Sequence, residues 1–252
     1  MKKKIITVLV ALLASVVAVL LCWAIFKYYP EKNAGETYED LKVDFGVDSL
    51  LDVPEIDEYD INPIDFEALT AKYPDVYAWI RIPGTNVDYP IARREGDNGY
   101  YLNHTIDGRQ RIEGAIFTED YNGKDFEDPN TLIYGHNMKN GSMFRTLHRY
   151  KDRKFFEENP YVYIYQEGKV FKYRIFAAYT YDDRHIMMSF DFEDKNIFQL
   201  YINSILTNKE ISSNIDLVVP VTVEDKIITL STCTSNQNQR YLVQAVLLSD
   251  GE

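Results

Sequence analysis

Hydrophobic and polar positions divide the chain into three textures. From Ile5 to Phe26, 22 consecutive residues carry no charge. As a helix rising about 1.5 Å per residue they span roughly 33 Å, enough to cross the hydrocarbon core of a bilayer. Residues 31–60 follow with 11 acids, two bases and little periodicity, which predicts a solvated stalk over 27–60. Asn62-Pro63 then has the form of a helix start, with Asn62 as N-cap, Phe66, Leu69 and Tyr73 on one face and Pro74 closing the element. From Trp79 onward short runs rich in β-branched and aromatic residues (WIRI, NVDYPIA, GAIFTED, TLIYG, YVYIYQ, KVFKYRIFAAYTY, IDLVVPVT, KIITLSTC, RYLVQAVLL) are separated by Gly, Asn, Asp and Pro turns. That pattern predicts a mainly β domain over 61–252, a closed or nearly closed antiparallel barrel. One helix interrupts it near 193–208, where Ile197, Leu200, Tyr201, Ser204 and Ile205 recur at three- and four-residue intervals after Asp191, Glu193 and Asp194.

Charge sharpens the division. Of 27 Lys and Arg, four (Lys2, Lys3, Lys4 and Lys27) flank the apolar run, and all 39 acids lie beyond it. The excess of lysine before the run predicts a cytoplasmic tail (1–4), a single membrane-spanning helix (5–26) and an extracellular remainder. A cleaved signal peptide fits less well, because the run is too long and no Ala-x-Ala spacing stands near its end. The net charge of −12 argues against nucleic acid as a partner.

Candidate chemistry narrows by elimination. The four histidines show no HExxH, there is no CxxC, no glycine-rich nucleotide loop and no G-x-S-x-G, so no metal or cofactor is expected. Of two cysteines, Cys22 falls in the apolar run, leaving Cys233 as the one thiol of the exported part. Such a thiol is either buried and inert or present for its reactivity. Cys233 ends the strand KIITLSTC, and Arg240 heads the next strand after the loop TSNQNQ. His136 follows the strand TLIYG in a turn of small and polar residues. His104, His148 and His185 read as surface or turn residues, and Met138 and Met143 as packing of the turn after His136.

The set TLSTC (Thr229 to Cys233), Arg240 downstream and His136 within Gly-His upstream resembles the sortases, cysteine transpeptidases that attach exported proteins to the cell wall of Gram-positive bacteria. The stretches IDFEALTAKYPDVYAWIRIPGTNVDYPI, DNGYYLN and YGHNMKNGSMFRTLHRYKDRKFFEENPYVYIY are similar to class B members, over roughly residues 62 to 248. The resemblance implies a sortase-type closed barrel of about eight strands with an N-terminal helical extension and the one inserted helix. It implies that Cys233 attacks the carbonyl of a C-terminal sorting motif in an exported protein, that His136 is general acid and then base, and that Arg240 stabilises the oxyanion. The backbone N–H of Thr234 is a second oxyanion donor on this reading, and Asn98, Leu102 and Ser231 line the substrate groove. The acceptor would be an amine of a peptidoglycan precursor. Pilin polymerisation and hydrolysis by a cysteine peptidase are the nearer alternatives, and a non-catalytic exported binding barrel with Cys233 merely packed is the more distant one.

Overall fold

The computed structural model describes residues 13–24, 36–47, 61–208, 210 and 213–248. Within the apolar run residues 13–24 are helical, and residues 5–12 and 25–26 of the expected span lie outside the described residues. Among the described residues no helix is long and apolar enough to cross a membrane.

Nine strands form one sheet: β1 (Val76–Arg81), β2 (Asp88–Ala92), β3 (Ile116–Thr118), β4 (Asn130–Tyr134), β5 (Tyr161–Gln166), β6 (Lys169–Asp182), β7 (Asn214–Ile215), β8 (Ile227–Cys233) and β9 (Gln239–Leu247). Their order is β5-β1-β2-β3-β4-β8-β9-β6-β7, and pairing of β5 with β6 closes eight strands into a barrel with β7 outside. Closure leaves few open edges for another chain to join. The expected barrel is therefore present, but not as a purely antiparallel one: β2–β3 and β4–β8 are parallel. Parallel neighbours need long crossovers, which the 23 residues between β2 and β3 and the passage through β5, β6 and β7 supply.

The helices are α1 (Glu36–Asp44), α2 (Phe66–Lys72), α3 (Arg153–Glu158), α4 (Ile186–Ser189) and α5 (Lys195–Leu206), with a 3-10 helix over Phe144–Lys151. Helix α5 is the expected inserted helix. The Asp194 carboxylate caps it by accepting from the Asn196 and Ile197 amides, and Phe198, Tyr201, Ile202 and Ile205 face inward. Helix α2 starts later than its sequence suggests. Asp65, not Asn62, is the N-cap, accepting from the Ala68 amide, while the Asn62 amide nitrogen donates to the Gln166 carbonyl. Asn62 Oδ1 accepts from the Ile64 amide at 3.1 Å, a turn ahead of the helix, so the cap falls to the next competent side chain.

The stalk expectation is corrected over residues 36–47. Tyr38, Leu41, Phe45 and Val47 are buried in the main core, and the Tyr38 hydroxyl donates to the Gly114 carbonyl at 2.5 Å. High acid density concealed an apolar face only four residues wide. Each such side chain contributes roughly 1.5–3 kcal/mol by burial. Deleting residues 1–35 is therefore expected to leave the thermal melt unchanged, whereas deleting residues 1–60 should lower Tm by roughly 10 °C or more. Equal Tm values for the two truncations would show that α1 is dispensable to the core.

The outer faces of β4, β8 and β9 lie under α5: Leu132, Ile227, Leu242 and Val246 pack with Phe198, Tyr201, Ile202 and Ile205. Both faces of β8 are thus covered, which explains its near-continuous apolar run. A buried polar network ties the layers together. The Gln244 amide donates to Tyr201 Oη (2.7 Å) and Thr229 Oγ1 (2.9 Å) and accepts from Tyr179 Oη (3.1 Å), while Thr229 Oγ1 donates to Asn130 Oδ1 (2.8 Å). Thr229, part of the TLSTC motif, therefore serves the scaffold beneath the strand end.

Candidate active site

Strand β8 is buried at every residue from Ile227 to Thr232 and emerges at Cys233, whose thiol is free and exposed. The buried, inert alternative for this cysteine is excluded by its exposure. The neighbours of β8 bring the other two residues to it. On one side parallel β4 ends at Tyr134 opposite Ser231, the Gly135 amide donates to the Ser231 carbonyl at 3.1 Å, and His136 follows. On the other side antiparallel β9 places Arg240 directly across from Cys233. Three residues spread over a hundred positions thus meet on one rim.

Gly135 is required by space. A Cβ there would lie 2.5 Å from Ile116 Cδ1 and 2.6 Å from Phe144 Cγ, inside any real contact distance. Beyond it the chain turns back: Asn137 bridges Met143, and the Phe144 amide donates to the His136 carbonyl at 2.9 Å. Met138 and Met143 are buried in this turn, as expected, and Met143 sits at φ +56°, a left-handed conformation unusual for a side chain of its size. The ring of His136 donates from Nε2 to the Leu102 carbonyl at 2.6 Å. The guanidinium of Arg240 donates from Nη1 to the carbonyls of Gln237 (2.9 Å) and Gln239 (3.1 Å), folding over the loop that follows Cys233.

Cys233, His136 and Arg240 share a cleft of about 260 Å³ with Asn98, Leu102 and Ser231. Leu102 is half exposed and offers an apolar wall, whereas Ser231 is almost fully buried in the floor. Both polar atoms of the Asn98 amide are engaged by Asp120: Nδ2 donates to its carboxylate (2.7 Å) and Oδ1 accepts from its amide (2.9 Å). Thr234 stands apart. It lines a second groove of about 540 Å³ with Asn137, Arg145, His148, Arg149 and Lys151, which shares no lining residue with the cleft.

Two groups escaped the sequence reading. The first is Glu119, Tyr134 and His185 in the cleft wall. Glu119 Oε2 lies 2.7 Å from His185 Nε2 and accepts from Tyr134 Oη at 2.9 Å. Burial, reinforced by the Glu119 carboxylate, holds the Tyr134 phenol far above its ordinary pKa, so it stays a donor. The second is Asn137 and His148, which both donate to the Cys233 carbonyl (2.8 Å and 3.1 Å). Burial first, then the charges of Lys151 and Arg145, pull the His148 pKa below the ordinary imidazole value against the raising effect of the Cys233 carbonyl. Neither His148 nor His185 is thus a mere surface residue. No spacing in the sequence marks either group, although adjacency of Asn137 to His136 was a usable hint. Among the described residues no cluster of three His, Cys, Asp or Glu is arranged to hold a metal ion.

A family model described as "Sortase domain" matches residues 80–248. The chain is 35% identical over 179 residues, 69% of its length and 70% of the relative's, to Sortase B of Listeria monocytogenes. Among solved structures it is similar to a Staphylococcus aureus sortase B-substrate complex (TM-score 0.65, 28% identity, 74% of this chain and 85% of that one). It is likewise similar to a sortase B complexed with triglycine (TM-score 0.65, 28% identity, 74% and 86%).

Proposed function

Because this chain belongs to the class B sortases and is a cysteine transpeptidase, we propose that it cleaves a C-terminal sorting motif of exported proteins and passes the acyl group to an amine of a peptidoglycan precursor. The observation that carries the reading is the meeting of Cys233, His136 and Arg240 on one cleft at the barrel rim. In the first half-reaction the Cys233 thiolate attacks the carbonyl carbon of the scissile peptide. The C–N bond breaks, and the leaving amine takes its proton from His136. In the second, an incoming amine attacks the thioacyl carbon, His136 takes the amine's proton, and the C–S bond breaks to regenerate the thiolate. The charge on the tetrahedral oxygen is met by Arg240, whose Nη1 is held by the Gln237 and Gln239 carbonyls, and by the Thr234 N–H.

Two solved relatives support the two substrate classes, one described as a substrate complex and one as a complex with triglycine. The donor motif is assigned to the cleft of Asn98, Leu102 and Ser231. Of these, Leu102 offers exposed apolar surface, Ser231 contributes to the buried floor, and Asn98 acts through its hold on Asp120. The groove on the opposite face of the Cys233–Thr234 peptide is our candidate path for the acceptor. We also propose that the chain is anchored by residues 5–26 with its barrel outside the cell. The uncharged run, the lysine excess before it and the exposure of Leu13, Leu20, Leu21 and Trp23 on helical residues 13–24 support that topology.

Incubating the full chain with peptides of the Asn-Pro-x-Thr and Pro-x-Thr-Gly types, with and without triglycine, tests the transfer. Mass spectrometry should find the acyl fragment joined to triglycine. Products that never contain the amine, at saturating acceptor, would assign the protein to hydrolysis.

A further inference from the structure

Acyl transfer at Cys233 places negative charge on a carbonyl oxygen, and donors that meet it are effective only if they are already aimed. Resting on that assignment of the site, we propose that Asn137 and His148 are positioning residues that fix the Cys233–Thr234 peptide and thereby aim the Thr234 N–H at the oxyanion.

The Cys233 carbonyl accepts from Asn137 Nδ2 at 2.8 Å and from His148 Nε2 at 3.1 Å. Both donors line the groove on the far side of the strand end, and neither lines the cleft of His136, Cys233 and Arg240. A peptide unit is planar and its C=O and N–H point in opposite directions. A carbonyl pinned by these two donors therefore turns the Thr234 N–H the other way, toward the β9 side where Arg240 stands opposite Cys233. A backbone donor at a strand end, held from behind by two side chains on its carbonyl, has the form of a prepared anion contact.

Each clamp residue is itself held. Arg145 Nη1 donates to Asn137 Oδ1 at 2.9 Å, which orients the amide so that its nitrogen faces Cys233. The His148 ring stacks on Tyr241 at 4.9 Å with 29° between planes, and Tyr241 lies opposite Thr232 in the β8–β9 register. The clamp is thus built from the turn after His136, the 3-10 helix and β9.

The test uses Asn137→Leu and His148→Phe in the full chain, singly and together. The first keeps side-chain volume and the second keeps the ring on Tyr241, while both remove the donor. Peptide cleavage is measured alongside alkylation of Cys233 by iodoacetamide, a displacement that forms no oxyanion. The double variant should lose about 10- to 100-fold in kcat, less than the full loss of an oxyanion donor, with KM and alkylation rate nearly unchanged. His148→Gln, which restores an N–H donor, should recover part of the rate. Alkylation slowing in step with kcat would overturn the proposal, because the pair would then be serving the thiol. Wild-type kcat in the double variant would overturn it too. Should the double variant lose its cooperative melt, the two single variants decide by the same criteria. Failure of the underlying assignment looks different: Cys233→Ala would then cleave as fast as the unaltered protein.

Discussion

Cys233→Ala should abolish both cleavage and transfer, lowering turnover by at least about 10⁴-fold, which corresponds to about 5 kcal/mol of transition-state stabilisation. The size follows from chemistry: without sulfur no thioacyl intermediate forms, and the neighbouring Thr234 hydroxyl donates to the Asn236 carbonyl rather than to a base. The fold should be untouched, since Cys233 is the one exposed residue of β8 and truncating it opens no cavity. A thiol-selective methanethiosulfonate should label the native protein at this position and block cleavage. Full activity in a folded Cys233→Ala variant, or an unreactive thiol in an active protein, would remove Cys233 from the reaction.

His136→Ala and Arg240→Ala should each lower kcat/KM by about 10²–10⁴-fold, the usual worth of a general acid–base group or a preorganised oxyanion donor. The two differ in how they fail. His136 is held at Nε2 by the Leu102 carbonyl, so its replacement removes the proton carrier but leaves the cleft walls standing. Added imidazole should recover part of the His136→Ala rate and none of the Arg240→Ala rate. Arg240→Lys should remain impaired, because a point charge does not reproduce the planar fork of donors. Wild-type rates in either folded alanine variant would refute the role given to that residue, and circular dichroism would confirm that each is folded.

The sequence carried the local features well. Strand runs from Trp79 onward, the amphipathic period of α5 and the β8–loop–β9 passage from Cys233 to Arg240 are all local signals, and the structure contains them with one exception: of the run IDLVVPVT only Ile215 lies in a strand, and Leu217 and Val218 are exposed in a turn. Legibility fell where a neighbour distant in sequence decides the outcome. Asn62 had every local mark of an N-cap, yet its Nδ2 is tied to the Gln166 carbonyl across the barrel, its Oδ1 accepts from Ile64 ahead of the helix, and Asp65 caps instead. Residues 36–47 read as a solvated tether because they lie in a stretch, 31–60, with 11 acids and little periodicity, but Tyr38 is buried through a partner 76 positions away.

By itself the amino-acid order determined the apolar run and the lysines before it, the mainly β composition, the inserted helix and a lone thiol with a histidine and an arginine as the chemistry-bearing set. It did so because each of these is a property of one segment: its period, its charge or the atoms it carries. Only the tertiary structure decided that β4 pairs with β8 in parallel, which delivers His136 to the rim beside Cys233. It likewise decided that Glu119 meets His185, and that Asn137 and His148 grip the Cys233 carbonyl. Those are pairings across 66 to 96 positions, set by how the whole barrel closes.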